Sequence, residues 1–245
     1  MTGRSRAAIV ATARTPIGRA YRGAFNNTSG VELAAHAIAS ALSVVDLDPA
    51  LVDDVVMGCA MQQGSTGFNV ARQALLRARL PVTVPGATID RQCSSGLMAV
   101  AAAARQILVD GMRVTIGGGV ESISLVQNEH MNSYRTRDRW LGDNLPAIYM
   151  PMLQTAELVA ERYDVNRERQ DEMGLKSHQR AAAAQAAGIF DAEIVPMAVR
   201  TLKTDKETGE SDEFEQTISA DEGVRPDTTA ERRSEERRVG KECRL

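Results

Sequence analysis

Cys93 is the residue whose type and position are best suited to chemistry in this sequence. It follows a short apolar run that ends at Ile89 and precedes a long helical pattern that begins near Ser94. Free N–H groups and the positive end of the helix dipole favour a thiolate at such a position. The same groups can hold the oxyanion that forms when a thioester carbonyl is attacked. The pattern indicates a nucleophilic cysteine, with a buried structural cysteine as the alternative.

The other cysteines and the histidines are weaker candidates for chemistry. Cys59 follows Gly58 at a predicted strand end, where a buried free cysteine is the favoured interpretation. We interpret His36, His130 and His178 as surface or packing residues rather than catalytic bases. The chain has 3 cysteines, widely spaced, which argues against a disulfide scaffold or a zinc cluster. We therefore expect no metal site.

The glycine run at residues 117–119 is not a dinucleotide-binding loop. It lacks the G-x-G-x-x-G spacing and does not lead promptly into a helix. Close packing around Glu121 and Ser122 is the simpler interpretation of these three glycines.

Short β-type runs alternate with helical patterns over the first 120 residues, and together they position Cys93. The β-type runs are residues 7–11, 55–57, 87–89 and 114–116, and the helical patterns are residues 30–42, 68–79 and 94–110. Ser29 and Glu32 have capping-box spacing, and Pro81 ends the second helical pattern. This alternation predicts an α/β fold with helices packed on a mainly parallel sheet.

The helix predicted after Cys93 has almost no polar face over three turns. Its apolar residues are Leu97, Met98, Val100, Ala101, Ala102, Ala104, Ile107 and Leu108. A helix that is apolar all round is normally buried all round. The pattern therefore predicts a further layer against its outer face, which this chain need not contain.

The sequence changes character after residue 120, which suggests three regions. We predict an α/β half-domain at 1–120, a lid-like loop domain at 121–232 and a non-native tail at 233–245. The second region begins with polar, irregular sequence at 123–147. It continues with two helices at 155–163 and 167–187, and with two strands at 194–199 and 214–219. The tail has no apolar periodicity and resembles a translated sequencing adapter, with a native charged tail as the alternative.

The overall composition is typical of a globular protein and excludes several classes of partner. The chain has 43% apolar residues and a net charge of −3, so we expect neither nucleic acid nor an anionic membrane as a partner. Aromatic residues make up 4%, which predicts a core of Ala, Val, Leu, Ile and Met. No apolar run approaches the roughly 20 residues needed to cross a bilayer. The polar start is not typical of a signal peptide, and the few cysteines fit the cytoplasm.

Several stretches in one order resemble the thiolase family. They are residues 14–19 (RTPIGR), 69–73 (NVARQ), 92–97 (QCSSGL), 117–124 (GGGVESIS), 155–157 (TAE) and 221–229 (DEGVRPDTT). The similarity covers residues 6–232, and Cys93 falls on the acyl-accepting nucleophile of the family. The resemblance implies a two-step exchange. A thiolate attacks an acyl thioester, coenzyme A leaves, and a second thioester or a thiol takes the acyl group.

The resemblance also implies a binding site for coenzyme A, which would be a substrate rather than a permanently bound cofactor. Met152 falls where the family places a methionine beside the pantetheine arm, although Leu153 stands where a glycine is common. Arg225 aligns with an arginine that contacts the nucleotide end. Alternatively, Met152 is a helix-packing residue. The arginines at 135, 137 and 139 are interpreted as a solvated face rather than a phosphate site.

As a resemblance, the thiolase fold implies five αβαβα layers built from two similar halves. This chain would supply most of the N-terminal half plus the loop domain, without the histidine base and second cysteine of the C-terminal half. We therefore expect the chain as written to be inactive, although its family is an acyltransferase. The family implies acetyl-CoA, acyl-CoA or 3-ketoacyl-CoA as substrates and a homodimer or homotetramer. Two alternatives stay open: a ketoacyl-synthase-type condensing enzyme and a non-catalytic, lipid- or CoA-binding fragment.

Overall fold

A three-stranded parallel sheet organises the part of the chain that contains Cys93. The computed structural model describes residues 6–205 and 207–229. The sheet has the order β2-β1-β3, with β1 at Asp54–Gly58, β2 at Gly86–Ile89 and β3 at Thr115–Gly119. β1 pairs in parallel with both neighbours, so that Gly58 lies opposite Ile89 on one side and Gly119 on the other. The carboxyl ends of all three strands therefore meet at one edge, where the loop to Cys93 begins.

Seven α-helices surround this sheet or lie in the second half of the described chain. They are α1 (Gly30–Val44), α2 (Val70–Arg77), α3 (Ser95–Val109), α4 (Ile123–Val126), α5 (Arg139–Asn144), α6 (Met152–Arg162) and α7 (Arg167–Ala186). Three 3₁₀ turns occur at Pro49–Leu51, Gly64–Thr66 and Pro146–Tyr149. Within the described ranges, no helix combines the length and the apolar character needed to cross a membrane.

Side-chain caps explain where the main helices begin and end. The Ser29 hydroxyl accepts a hydrogen bond from the backbone of Glu32, as the capping-box spacing predicted. Asn69 and Asn166 cap α2 and α7 in the same way, through the third residue that follows each of them. Gly188 follows α7 with a φ of 68°, a left-handed conformation that glycine adopts without a steric penalty.

Small and medium aliphatic side chains form the main core, as the composition predicted. Its buried members are Ala34, Ile38, Leu42, Val52, Val55, Met57, Ala71, Ala74, Leu75, Leu80 and Val84. They come from α1, α2, β1 and the segments beside them, so this core fixes one face of the sheet against two helices. None of these core residues is aromatic.

A β-hairpin closes a second, smaller core. Strands β4 (Met197–Thr204) and β5 (Ser211–Ile218) pair in antiparallel fashion, and β4 alternates buried and exposed residues. Met197 and Val199 pack with Ala24 and Phe25. The Thr201 hydroxyl, also buried, donates to the Ala24 carbonyl at 2.7 Å. The hairpin is therefore anchored to the segment that precedes α1.

The described chain forms two compact units, whose boundaries differ from the predicted domain boundary at residue 120. The first unit comprises residues 6–131 and 191–223, so it includes the hairpin as well as the sheet. The second comprises residues 132–190 and 224–229, with α5, α6 and α7. The division into a half-domain at 1–120 and a loop domain at 121–232 stays a prediction. The tail at 233–245 lies outside the described residues.

Three predicted elements differ in the structure. Residues 7–11 belong to no strand in the described part of the chain, and Ile9 and Val10 are 78% and 73% exposed. An extended apolar run becomes a strand only where a partner strand offers hydrogen bonds. The region 123–147, predicted as irregular, contains short helices. The strand predicted at 194–199 begins only at Met197, because Pro196 has no N–H to donate to a partner strand. Ile194, before the proline, forms an isolated bridge with Arg14.

Helix α3 confirms the prediction of an uncovered apolar face. Its buried residues are Ser95, Ala99 and Ala103, which face β1 and β3. On other sides of the same helix, Leu97 and Val109 are 75% and 79% exposed. Within the described residues, the second layer that would cover these side chains is absent.

Candidate active site

Cys93 lies at the surface, immediately before the start of α3. Strand β2 ends at Ile89, the chain turns through residues 90–92, and Ser94 is the N-cap of the helix. Cys93 is a free, exposed cysteine, so a thioester can reach its sulfur. The predicted position, between a strand end and the first helical turn, is confirmed. The catalytic role of the residue stays a prediction.

The first turn of α3 presents unpaired backbone donors beside Cys93. The N–H groups of Gly96 and Leu97 have no acceptor among residues 6–205 and 207–229, whereas the Met98 N–H already bonds the Ser94 carbonyl at 2.9 Å. The Ser94 side chain does not cap the helix. Donors of this kind, at the positive end of a helix of 15 residues, stabilise negative charge that develops nearby.

The turn that carries Cys93 is strained and held by short hydrogen bonds. Gln92 has a φ of 50°, which is unfavourable for a residue with a side chain. The Gln92 N–H donates to the Asp90 carboxylate at 2.7 Å, and the Gln92 carbonyl accepts from the Ser95 N–H at 3.0 Å. Since the surrounding bonds must hold such a conformation, the direction of the Cys93 side chain is set by this turn.

Glycines allow the sheet to approach the start of α3 closely. A Cβ atom on Gly58 would collide with the backbone of Ser95 and Gly96. On β3, a Cβ on Gly117 would lie 2.7 Å from the Val100 Cα, and one on Gly119 would lie 3.0 Å from the Gly96 Cα. The close packing predicted from the glycine run is therefore present. These contacts fix the height of the first turn of α3 above the strand ends.

Glu121 organises the neighbouring loop, where Cys59 is buried. The carboxylate of Glu121 accepts hydrogen bonds from the N–H groups of Ala60 and Met61 at 3.0 and 3.3 Å. The Cys59 thiol lies 3.6 Å from the same carboxylate and is 1% exposed. Burial raises the pKa of the Cys59 thiol to about 11, and the negative charge of Glu121 acts in the same direction. Cys59 is thus a protonated packing residue at neutral pH, in agreement with the favoured interpretation of its sequence position.

The raised pKa of Cys59 predicts a specific loss of stability at alkaline pH. The unfolded chain releases the thiol proton near its ordinary pKa of 9.0, whereas the folded chain keeps the proton up to about pH 11. Unfolding therefore releases a proton between these values, and the free energy of unfolding falls as pH rises. We expect this thiol to account for about 1 kcal/mol of the loss between pH 8 and pH 10.

Urea unfolding of the wild type and of Cys59→Ala at several pH values tests this expectation. Other alkaline groups titrate alike in both proteins, so the difference between the two curves isolates the thiol. The gap between the two free energies of unfolding should shrink by about 1 kcal/mol from pH 8 to pH 10. A gap that stays constant over this range would show that the Cys59 thiol is not protonated and buried as described.

The predicted coenzyme A contacts lie in the second unit. Met152 is the first residue of α6 and is 72% exposed. Arg225 is exposed, and its N–H donates to Nδ1 of His178 at 3.3 Å. Both residues are accessible to a ligand. Their roles in binding coenzyme A stay predictions.

Among residues 6–131 and 191–223, no histidine forms a hydrogen bond with Cys93. In the described part of the chain the Cys93 thiol has no hydrogen-bond partner. Nε2 of His36 lies 3.4 Å from the Val195 carbonyl, and His130 is exposed beside Glu129. Their surface and packing roles follow from these contacts.

Two of the stretches that resemble the thiolase family are joined directly. The Arg14 guanidinium binds the Asp221 carboxylate through two nitrogens at 2.8 and 3.1 Å, and its Nε binds Glu193 at 2.7 Å. Asp221 also accepts from the Ile17 N–H at 2.8 Å. The Glu222 carboxylate accepts from the N–H groups of Arg19 and Ala24. The segments 14–19 and 221–222 thus form one structural unit.

A third stretch supports β2, which leads to Cys93. The Asn69 side-chain amide donates to the Gly86 carbonyl at 2.6 Å, and its oxygen accepts from the Thr88 hydroxyl at 2.9 Å. Because the same oxygen also caps α2, one side chain fixes the helix and the strand relative to each other.

Two cavities of the first unit are lined by residues other than Cys93. The larger, of about 660 Å³, lies between α1, α2 and the hairpin, with Asn27, Glu32, Arg77 and Arg200 among its lining residues. The smaller, of about 220 Å³, is lined by residues 15–20, by residues 121–124, and by Phe25 and Leu33.

Sequence reasoning missed three residues that support the site. Ser95 bonds the backbone of the strained turn before Cys93, and Glu121 bonds the backbone of residues 60–61, which are distant in sequence. Gly58 supports the site because it has no side chain, which lets α3 approach. The glycine run before Glu121 was the one available signal. It indicated close packing but not the partner on the other side of the contact.

Comparisons with known proteins show the family of the chain. Residues 7–237 match the family model described as the thiolase N-terminal domain. The chain is 41% identical to the 3-ketoacyl-CoA thiolase of Bacillus subtilis, over 92% of this chain and 57% of that protein. It is 42% identical to the peroxisomal 3-ketoacyl-CoA thiolase B of Mus musculus, over 90% and 50%. The chain spans about half the length of the curated relatives it matches.

Solved structures give the same result. The acetyl-CoA acetyltransferase of Bacillus anthracis superposes with a TM-score of 0.76 at 34% identity, over 96% of this chain and 59% of that one. The human mitochondrial 3-ketoacyl-CoA thiolase gives a TM-score of 0.74 at 33% identity, over 91% and 56%. The predicted thiolase-like α/β fold, restricted to the N-terminal half, is confirmed. The chain belongs to the thiolase family.

Proposed function

We propose that this chain carries the nucleophile-bearing half of a thiolase active site and accepts acyl groups from coenzyme A thioesters on Cys93. The observation that carries the proposal is an exposed Cys93 thiol that immediately precedes α3, whose first turn has unpaired N–H groups at Gly96 and Leu97. A nucleophile and donors for an oxyanion are the two groups that acyl transfer needs first.

The proposed reaction exchanges one thioester for another. The Cys93 thiolate attacks the acyl carbonyl carbon, and the carbonyl oxygen becomes an oxyanion facing the first turn of α3. The carbon–sulfur bond to coenzyme A then breaks, coenzyme A leaves as a thiolate, and an acyl-Cys93 thioester remains. A second thiol attacks this thioester to release the acyl group and restore Cys93. Because each step replaces one thioester by another, the free-energy change is small.

We further propose that the chain as written does not turn over efficiently. Turnover needs a base that removes the thiol proton of Cys93 and a second acid–base group that serves the incoming reactant. The absence of a histidine partner for Cys93 among the described residues supports this view. The exposed side chains of Leu97 and Val109 also support self-association, or coverage by further sequence, in the active enzyme.

The substrate and its contacts complete the proposal. The names of the relatives favour acetyl-CoA, acyl-CoA or 3-ketoacyl-CoA as substrates. Met152 and Arg225 are proposed to contact the pantetheine arm and the nucleotide of coenzyme A, since both side chains are accessible.

We propose a homodimer or homotetramer in the cytoplasm. The two cysteines within the described residues are both free, which fits a reducing compartment.

Release of free coenzyme A from acetyl-CoA tests the proposed function. We expect a burst of at most about one coenzyme A per chain, followed by no sustained release, because acylation proceeds without a route to rapid deacylation. Chromatography of the quenched reaction separates coenzyme A from acetyl-CoA without a thiol reagent. Cys93→Ala should abolish the burst, while Cys59→Ala should keep it. Sustained release at full thiolase rates would contradict the proposed inactivity, and no burst would contradict the acyl transfer.

A further inference from the structure

A buried serine hydroxyl spans the turn that carries Cys93. Ser95 is 4% exposed, although it is the first residue of a helix whose start lies at the surface. Its Oγ accepts a hydrogen bond from the Arg91 N–H at 2.8 Å and donates one to the Gln92 carbonyl at 2.6 Å. One hydroxyl thus bonds both of the residues that precede Cys93.

These two bonds hold a conformation that the chain would otherwise avoid. Gln92, between Arg91 and Cys93, has the unfavourable φ of 50°. Such a conformation persists only where neighbouring contacts over-determine the backbone. From the helical side of the turn, the Ser95 N–H and the Ser95 hydroxyl both bond the Gln92 carbonyl, and the same hydroxyl accepts from the Arg91 N–H. The Ser94 N–H and Ser94 hydroxyl bond only the Arg91 carbonyl.

The neighbouring serine, Ser94, also bonds Arg91, but it differs from Ser95 in its exposure and in making no bond to Gln92. Ser94 is exposed, and its hydroxyl donates to the Arg91 carbonyl at 2.9 Å without bonding Gln92. The two adjacent serines therefore provide a matched comparison. The Ser95 residue is buried and its hydroxyl bonds the strained Gln92, whereas Ser94 is exposed to solvent.

We propose that Ser95 is a positioning residue, whose hydroxyl locks the 91–93 turn so that the Cys93 sulfur faces the free N–H groups of α3. This inference deepens the proposed function and rests on it for its significance in acyl transfer. The hydroxyl does not touch the substrate; it acts through the backbone of Arg91 and Gln92. Without it, the Arg91 N–H loses its acceptor and the strained Gln92 relaxes, which turns Cys93 away from the helix start.

The rate of Cys93 alkylation by iodoacetamide, measured by mass mapping of the Cys93 peptide, tests the inference without coenzyme A. We expect Ser95→Ala to lower this rate about fivefold, because a sulfur turned away from the helix start loses the N–H groups that stabilise its negative charge. Ser95→Thr, which keeps the hydroxyl, should restore at least about half of the wild-type rate, and Ser94→Ala should remain within about twofold. Circular dichroism confirms that each variant is folded.

The outcomes separate positioning from a purely structural role. Cys93 is already exposed, so a general loosening of the fold leaves its alkylation rate unchanged or raises it. A folded Ser95→Ala variant that reacts within twofold of the wild type would overturn the inference. If Ser95→Ala does not fold, amide hydrogen exchange of the wild type decides. The Arg91 amide should be protected by its bond to Ser95, and exchange at the rate of an unstructured peptide would overturn the inference.

Coenzyme A release and Cys93 alkylation distinguish a failure of the proposed function from a failure of the positioning role. A chain that never releases coenzyme A, yet shows the alkylation pattern described, would have Cys93 positioned by Ser95 without acyl transfer. A chain that acylates normally in the Ser95→Ala variant, with unchanged alkylation, would have the proposed function without the positioning role.

Discussion

Replacing Gly58 by alanine is expected to lower the free energy of unfolding by about 3 kcal/mol or more, because the new methyl group has no room. The Cβ atom would collide with the backbone of Ser95 and Gly96 in the first turn of α3. Backbone atoms cannot rotate aside as a flexible side chain can. Either the helix start moves away from the strand ends or β1 is displaced from the sheet centre.

The same substitution should impair Cys93 as well as stability. Since Gly58 fixes the first turn of α3, any shift of that turn moves the donors of Gly96 and Leu97 relative to the Cys93 sulfur. We expect the coenzyme A burst to fall at least about tenfold in protein that still folds. Urea unfolding followed by circular dichroism, together with burst amplitude and rate, measures both effects.

Gly142 provides the matched control. A Cβ atom at this position in α5 would meet no atom within 4 Å, and the backbone of Gly142 lies outside the left-handed region. Gly142→Ala should therefore be neutral or stabilise by up to about 1 kcal/mol through helix propensity. If Gly58→Ala were as stable as Gly142→Ala, the close approach of β1 to α3 would be wrong.

Replacing Arg14 by methionine is expected to cost about 2–4 kcal/mol of stability. The Arg14 side chain is 28% exposed and its partner Asp221 is 15% exposed, so the pair is largely shielded from water. Methionine keeps much of the volume but leaves two carboxylates, Glu193 and Asp221, without this guanidinium. Loss of the pair should also loosen the joint between residues 14–19 and 221–222.

The stability that Arg14 provides through Asp221 should decrease as the pH falls. The hydrogen bond from Arg14 holds the pKa of Asp221 below its ordinary value of 3.8, with a smaller contribution from the Ile17 N–H, while burial opposes both. A carboxyl group with a lowered pKa stabilises the fold above its unfolded pKa, and this contribution is lost as pH falls through the folded pKa. The wild type should therefore lose stability below about pH 4 more steeply than Arg14→Met does.

Arg200→Met is the matched control for this ion pair. Arg200 and Glu215 lie 3.1 Å apart across the hairpin, but their side chains are 69% and 77% exposed. Exposed pairs contribute little, so we expect a change below about 0.5 kcal/mol. Thermal or urea unfolding compares the two variants directly. Equal costs for Arg14→Met and Arg200→Met would show that Arg14 does not hold the two segments together.

The sequence alone predicted the elements that carry Cys93, because the signals are local. The cap at Ser29, the break after β2 and the apolar helix after Ser94 depend on residues within a few positions of each other. The same reasoning placed the thiol at the helix start and Cys59 in the interior. The resemblance of six stretches then identified the thiolase family, which composition and residue spacing alone do not identify.

The features that sequence reasoning did not reach depend on partners far along the chain. Glu121 bonds residues about sixty positions earlier, and Arg14 bonds Asp221 more than two hundred positions later. The run at 7–11 has the composition of a strand, yet strand formation depends on a partner that its own sequence does not specify. The close contact at Gly58 also depends on a distant partner. A side chain at this position is excluded only because the backbone of α3 lies against it.

Mass mapping of the acylated cysteine after incubation with acetyl-CoA tests the central claim most directly. We expect an acetyl group on the peptide that contains Cys93, and none on the peptide that contains the buried Cys59. Acetylation that is confined to Cys59, or an unmodified Cys93 that still reacts with iodoacetamide in the same sample, would contradict the assignment of Cys93 as the acyl-accepting nucleophile.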